Sequence, residues 1–188
     1  PQVVGGTHAY TETGTGVTKF GLPADEALEL ARALPAGGPV VVAGLHVHFG
    51  SQILSIGPFV EAARRAREEV LRFRAAGVPI ATLNLGGGIG ISYQDEPPLS
   101  PAAIAQAIAP IVADLGVTLC FEPGRYLVGA AGVLLTRVID VKRTSSKSFC
   151  VVDAAMNDLI RPALYGAHHT VLPVRERPGE REIMDVVG

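Results

Sequence analysis

The sequence predicts an α/β fold: a partial (β/α)8 barrel, represented by its last strands, followed by the start of a mostly β domain. Three observations carry this. Three apolar runs share one form and end in small or polar residues: Val40–Gly50 (VVVAGLHVHFG), Ile80–Gly90 (IATLNLGGGIG) and Val117–Arg125 (VTLCFEPGR). Their polar tips recur at a spacing of roughly 35–40 residues, the length of one strand–helix unit. After Arg125 the helical patterning stops and β-branched runs take over. The predicted boundary therefore places residues 1–126 in the C-terminal part of the barrel and residues 127–188 in a β-rich domain.

The elements follow in order. Ala24–Leu34 reads as a helix, with Asp25 and Glu26 in its first turn and Pro35 as its stop. Pro58–Ala76 places Phe59, Ala62, Ala63, Ala66, Val70 and Phe73 on one side at helical spacing. Glu61 and Arg65 form an i,i+4 pair on the solvated side, and Gly77 ends the helix. Ser100 caps a third helix, Pro101–Leu115, which Gly116 closes and Pro110 is expected to kink or split. Beyond it, Leu127–Lys142, Phe149–Asp153 and Thr170–Val174 read as strands. Three strand–helix units cannot close an eight-stranded barrel. The chain is expected to expose unpaired strand edges and an apolar face.

With 188 residues, 48% hydrophobic and 18% charged, the composition is that of a globular protein with a sizeable core. A net charge of −2 supplies no general field for nucleic acid or an anionic membrane. No uninterrupted apolar run is long enough to span a bilayer. Cys120 and Cys150 form no disulfide framework or metal spacing, and each lies in an apolar run that predicts a buried, inert thiol. Only three of the sixteen basic residues are lysines: Lys19, Lys142 and Lys147. The chain opens at Pro1 with loop-like residues and is read as truncated there, so the lack of a leader says nothing of location.

Candidate chemistry gathers at the strand tips, where α/β barrels carry their active sites. Gly86–Gly88 reads either as a flexible turn or as a phosphate cradle, since glycine lets backbone N–H groups approach an anion closely. The Glu122-Pro123-Gly124-Arg125 tip one unit later favours the cradle, because Arg125 adds a cationic fork. Glu122 ends an apolar run and needs a partner: a protonated pyridine nitrogen, or Arg125 itself. His46 and His48, two apart on a strand, face the same side. They read as a His-x-His metal site, as ordinary core histidines, or, for His48, as a flat ring stacked on an aromatic cofactor. Ser51 beside Gly50 is a plausible phosphate donor, which favours cofactor over metal. Arg161 and Tyr165 stand four apart in an apolar stretch. They suit either surface solvation or, with Arg125, the grip on a dicarboxylic substrate. No ligand pattern includes His168 and His169.

Taken together, Thr13–Gly21 (TGTGVTKFG), Gly44–Ile53 (GLHVHFGSQI), Leu83–Tyr93 (LNLGGGIGISY), Glu122–Arg125 (EPGR) and Asp153–Tyr165 (DAAMNDLIRPALY) resemble the diaminopimelate decarboxylases. GLHVHFGSQI with NDLIRPALY favours that family over the ornithine and arginine decarboxylases. The resemblance implies an alanine-racemase-like barrel followed by a β domain, pyridoxal phosphate as cofactor, and decarboxylation of meso-diaminopimelate to L-lysine in a cytoplasmic homodimer with shared sites. It implies that His48 stacks on the cofactor ring. Ser51, Gly87, Gly88 and the segment Glu122, Pro123, Gly124, Arg125 would hold ring nitrogen and phosphate. Arg125, Arg161 and Tyr165 would bind the substrate's distal carboxylate.

The family's Schiff-base lysine lies on an early barrel strand, a setting that Lys19, Lys142 and Lys147 do not match. The proton-donating cysteine of a neighbouring subunit's site is expected beyond Gly188. Phe49 stands where isoleucine is common. The 188 residues by themselves are thus not expected to decarboxylate. Alternatives are a decarboxylase of another amino acid, a catalytically silent cofactor-binding paralogue, and a metal-dependent hydrolase built on His46 and His48.

Overall fold

Three short strands, each preceded or followed by a helix, carry the loops of interest. The computed structural model describes residues 19–176, 178–179 and 182–188. The Thr13–Thr18 part of the TGTGVTKFG motif lies outside them. Along the chain the elements are α1 (Ala24–Ala33), β1 (Gly44–His46), α2 (Gly57–Ala75), β2 (Thr82–Asn84), α3 (Pro101–Val112), β3 (Thr118–Cys120) and α4 (Gly124–Val128). Then come β4 (Val138–Arg143), β5 (Ser148–Val152), α5 (Arg161–Tyr165) and β6 (Asp185–Val187). They fall into two compact units. One holds the described residues through Ser92 with Glu96–Ala131, the other Tyr93–Asp95 with Gly132–Gly188.

In the first unit β1, β2 and β3 form a parallel sheet in that order, with Leu45, Leu83 and Leu119 in register. Parallel neighbours require long crossovers, and α2 and α3 supply them. The predicted apolar face of α2 is the buried one: Phe59, Ala62, Ala63, Ala66, Val70 and Phe73. It packs with Ile104, Ile108 and Val112 of α3, with Leu83 of β2 and with Leu85 just past that strand. Phe49 is only 1% exposed and meets Phe59 edge-on, with ring centroids 5.3 Å apart. The larger ring at position 49 therefore fills the core under the site.

Arginines fasten the helices where packing ends. Arg67 of α2 donates to the Ile111 carbonyl and both carboxylate oxygens of Asp114, while Arg74 donates to the carbonyls of Ile80 and Leu115. The pair with Arg67 holds the Asp114 carboxyl below its ordinary range, chiefly through their side-chain hydrogen bond.

The helix is not split at Pro110. The α-helix continues to Val112 and tightens into a 3-10 turn, Ala113–Leu115, before Gly116 closes it in the left-handed region (φ 59°). Proline sits in the last turn: the carbonyl it crowds is that of Gln106, whose helical partner would have been the missing proline N–H, and the ladder resumes with Ala113 N–H donating to Ala109 O.

In the second unit β4 and β5 pair antiparallel around a Thr144–Lys147 turn, and β6 joins β5 in parallel. Two expectations fail here. Leu127 and Val128 complete α4 instead of opening a strand, because the Gly124 segment starts a helical turn. Thr170–Val174 forms no strand, and the third strand is Asp185–Val187. Apolar residue type alone does not provide a pairing partner, and β5 accepts the later segment. Cys120 and Cys150 are half-buried rather than buried, each on a short strand that is only partly covered.

Candidate functional site

The candidate residues of the first unit stand at or just past the C-terminal tips of β1, β2 and β3. The backbones of these tips interlock: Leu85 N–H donates to Cys120 O, Glu122 N–H to Gly86 O, and Ile53 N–H to Gly88 O, at 2.8–3.0 Å. Such closeness requires glycine. A Cβ on Gly86 would lie 2.6 Å from Val47 O, one on Gly87 2.1 Å from Glu122 O, and one on Gly88 2.6 Å from Gly50 O. Gly86 and Gly88 also adopt positive φ, 69° and 93°. The triplet is therefore a fitted joint between loops, not a flexible turn.

Glu122 lies two residues past the end of β3, with its side chain half exposed. Asn84 Nδ2 donates to its Oε1 at 2.8 Å, and His46 Nε2 stands 3.5 Å from the same oxygen. The alternative pairing of Glu122 with Arg125 is not the one formed. The Arg125 guanidinium instead donates to Gln52 Oε1 and Ser51 Oγ, each at 3.0 Å. His48 is half-buried, and Gly87 N–H points to its Nδ1 at 3.4 Å. Burial holds its pKa below the ordinary histidine value, and the charge of Glu122 offsets this only in part. His48 is thereby kept a neutral ring with an accepting nitrogen. Pro123 and Gly124 form the turn from β3 into α4.

Arg161 and Tyr165 lie in the second unit, on α5. The Arg161 guanidinium is 5.1 Å from the Tyr93 ring centre and 5.8 Å from that of Tyr165, within cation–π range. His169 meets Tyr93 edge-on, and its pKa is lowered, first by burial and then by Arg161. Among the described residues no group of three His, Cys, Asp or Glu side chains is placed to hold a metal ion. His46, the first histidine of the His-x-His pair, faces Glu122 instead.

Two residues of this site escaped the sequence reading. Asn84 accepts from Gly86 N–H at 2.8 Å while donating to Glu122, so one amide ties the glycine joint to the carboxylate. Asparagine two residues before a turn glycine is a recognisable Asx-turn signal. Gln52 carried no such signal, because its partners are 39 and 73 residues away.

The donor set fits a phosphorylated pyridine. Ser51 Oγ, the Arg125 fork and the Gly88 backbone suit a dianion, whereas the Gly86 N–H is already engaged by Asn84 and the Gly87 N–H makes only a long contact, 3.4 Å, to His48. An oriented carboxylate suits a protonated ring nitrogen, and a neutral imidazole suits stacking on an aromatic face.

Comparison with known proteins agrees with this chemistry. Residues 1–129 match the family model for the pyridoxal binding domain of pyridoxal-dependent decarboxylases. A diaminopimelate decarboxylase from Vibrio cholerae is 40% identical across the whole chain, which covers 45% of that relative. One from Neisseria meningitidis is 44% identical over 94% of the chain and 44% of the relative. The crystal structure of diaminopimelate decarboxylase from Helicobacter pylori complexed with L-lysine matches all of this chain and 46% of that one, with a TM-score of 0.91 at 35% identity. The chain thus spans about half the length of the curated relatives it matches. Among the described residues no helix is long and apolar enough to cross a membrane.

Proposed function

The chain belongs to the pyridoxal-dependent decarboxylase family, and from that membership we propose that the whole protein converts meso-diaminopimelate to L-lysine and CO2, with pyridoxal phosphate as cofactor. The parallel sheet is then the last part of an alanine-racemase-like (β/α)8 barrel, and the chain beyond α4 is the start of a β-rich domain. The working form is a cytoplasmic homodimer with shared active sites.

The observation that carries the reading is the joint of three strand tips, at which Ser51, Gly87, Gly88, Glu122 and Arg125 gather within one unit. In this reading His48 stacks its neutral ring on the pyridine. Glu122, oriented by Asn84, keeps the ring nitrogen protonated. Ser51, Gly87, Gly88, Pro123, Gly124 and Arg125 surround the phosphate. Bound there, pyridoxal phosphate supplies an electron sink for the electron pair left as CO2 departs. Arg125, Arg161 and Tyr165 hold the substrate's distal carboxylate. A planar guanidinium suits that task because it pairs with both carboxylate oxygens at once.

The test is turnover by the full-length protein offered meso-diaminopimelate, ornithine and arginine separately, with borohydride reduction of the holoprotein and mass mapping of the modified lysine. Release of L-lysine from the first substrate alone is expected, together with one trapped lysine. Turnover of ornithine or arginine without turnover of meso-diaminopimelate would overturn the substrate assignment. Failure to trap any lysine would favour a silent cofactor-binding paralogue.

A further inference from the structure

Gln52 is the one non-glycine residue among those described with a left-handed backbone, at φ 61°. That region crowds a Cβ, and glutamine has no intrinsic preference for it. Its side chain gives the reason for the conformation. Nε2 donates to Ile91 O at 2.6 Å, and Oε1 accepts from Ile91 N–H at 3.2 Å and from Arg125 at 3.0 Å. The neighbouring Ser51 Oγ accepts from the other terminal nitrogen of Arg125, also at 3.0 Å.

Reversing the amide would set its NH2 group against a guanidinium that can only donate, so the partners dictate its orientation. Backbone bonds from Ile53 N–H to Gly88 O and from Gly90 N–H to Ile53 O fix the loop on either side. One amide thus joins the loop after β1, the segment after the glycine joint and the first turn of α4.

We propose that Gln52 is a positioning residue whose left-handed backbone aims an amide that, with Ser51, presets the Arg125 guanidinium as a carboxylate-binding fork. The inference rests on the reading of Arg125 as a partner of the substrate's distal carboxylate. Two of the five guanidinium N–H groups are committed to the clamp, which fixes the plane and leaves the others to meet an anion. Without the clamp a long, flexible side chain must be ordered when the substrate arrives. The carboxylate it meets is not the one that leaves, so the loss falls on ground state and transition state alike. KM rises and kcat does not.

The test uses the full-length holoprotein in four forms besides wild type: Gln52→Gly, Gln52→Asn, Arg125→Ala and the double variant Gln52→Gly/Arg125→Ala. Glycine is at ease at this φ, and asparagine tolerates it but is too short to reach Arg125, so both delete the clamp without forcing the backbone. The readouts are KM and kcat for meso-diaminopimelate, the calorimetric dissociation constant of L-lysine, and the melting midpoint. L-lysine retains the carboxylate that is not lost.

Both Gln52 variants are expected to raise KM and the L-lysine dissociation constant about tenfold, the effect of one hydrogen bond to a charged group. Little change in kcat is expected, and no further loss in the Arg125→Ala background. If Arg125→Ala weakens L-lysine binding but neither Gln52 variant does, the inference fails while the reading of Arg125 stands. Additive losses in the double variant would also overturn it. If Arg125→Ala leaves KM and L-lysine binding unchanged, the reading of Arg125 fails and the inference goes with it.

Discussion

A methyl group at position 87 would have to share space with the Glu122 carbonyl oxygen, since the two loops cross there with no room for a side chain. Gly87→Ala is expected to destabilise the protein by about 1–3 kcal/mol through overpacking and to weaken pyridoxal phosphate binding. A melting curve and a cofactor titration measure both; an unchanged melting midpoint would mean that the loops can part without cost. His48 makes a pH prediction. Its native pKa lies below the ordinary value of 6.5, first because of burial. The unfolded chain therefore takes up this proton at a higher pH than the native one, and stability rises with pH across that window. The contribution of His48 is fully present above about pH 6.5 and declines as pH falls toward the native pKa. Melting midpoints of wild type and His48→Gln, taken between about pH 5 and pH 8, should converge on the acid side. A pH-independent difference would remove the role assigned to burial.

The α2–α3 contact decides whether the strand tips are held rigidly. Phe59 and Ile108, 2% and 1% exposed, come from different crossovers and meet the same core cluster. Phe59→Ala is expected to cost about 3–5 kcal/mol and Ile108→Ala about 2–5 kcal/mol, because the cavity left behind cannot collapse fully. Denaturant titration measures these losses. Values below about 1 kcal/mol would mean that the core is looser than the structure indicates. At this scale the sequence was most legible where periodicity and caps agree: α1 differs from its predicted bounds by one residue at its C-terminal end and α2 by one residue at each end. It was least legible after Arg125. There short β-branched segments lack a periodic signature, and strand formation depends on which partner a segment finds.

The two outer strands of the parallel sheet, β1 and β3, each have a neighbour on one side only among the described residues, and Phe121, Leu127 and Val128 are exposed. Parallel sheets are ordinarily covered on both faces, and open edges invite pairing with other chains. Expressed as these 188 residues alone, the protein is expected to bind a hydrophobic dye and to associate with rising concentration. Dye fluorescence and light scattering test this, and a monodisperse monomer that leaves the dye dark would contradict it.

By itself the sequence determined which segments become α1, α2, α3 and the three parallel strands, and that glycines, a carboxylate and an arginine fall at the strand tips. Those features rest on local periodicity, capping and the placement of residues that only certain backbones accept. Only the tertiary structure decided the pairings within the site: Glu122 with Asn84 and His46, and Arg125 with Ser51 and Gln52 rather than with Glu122. These contacts join residues 38 to 76 positions apart in sequence, so no local pattern announces them. A hydrogen bond between distant positions depends on strand register and loop closure together, and neither is written in the residues that make the bond.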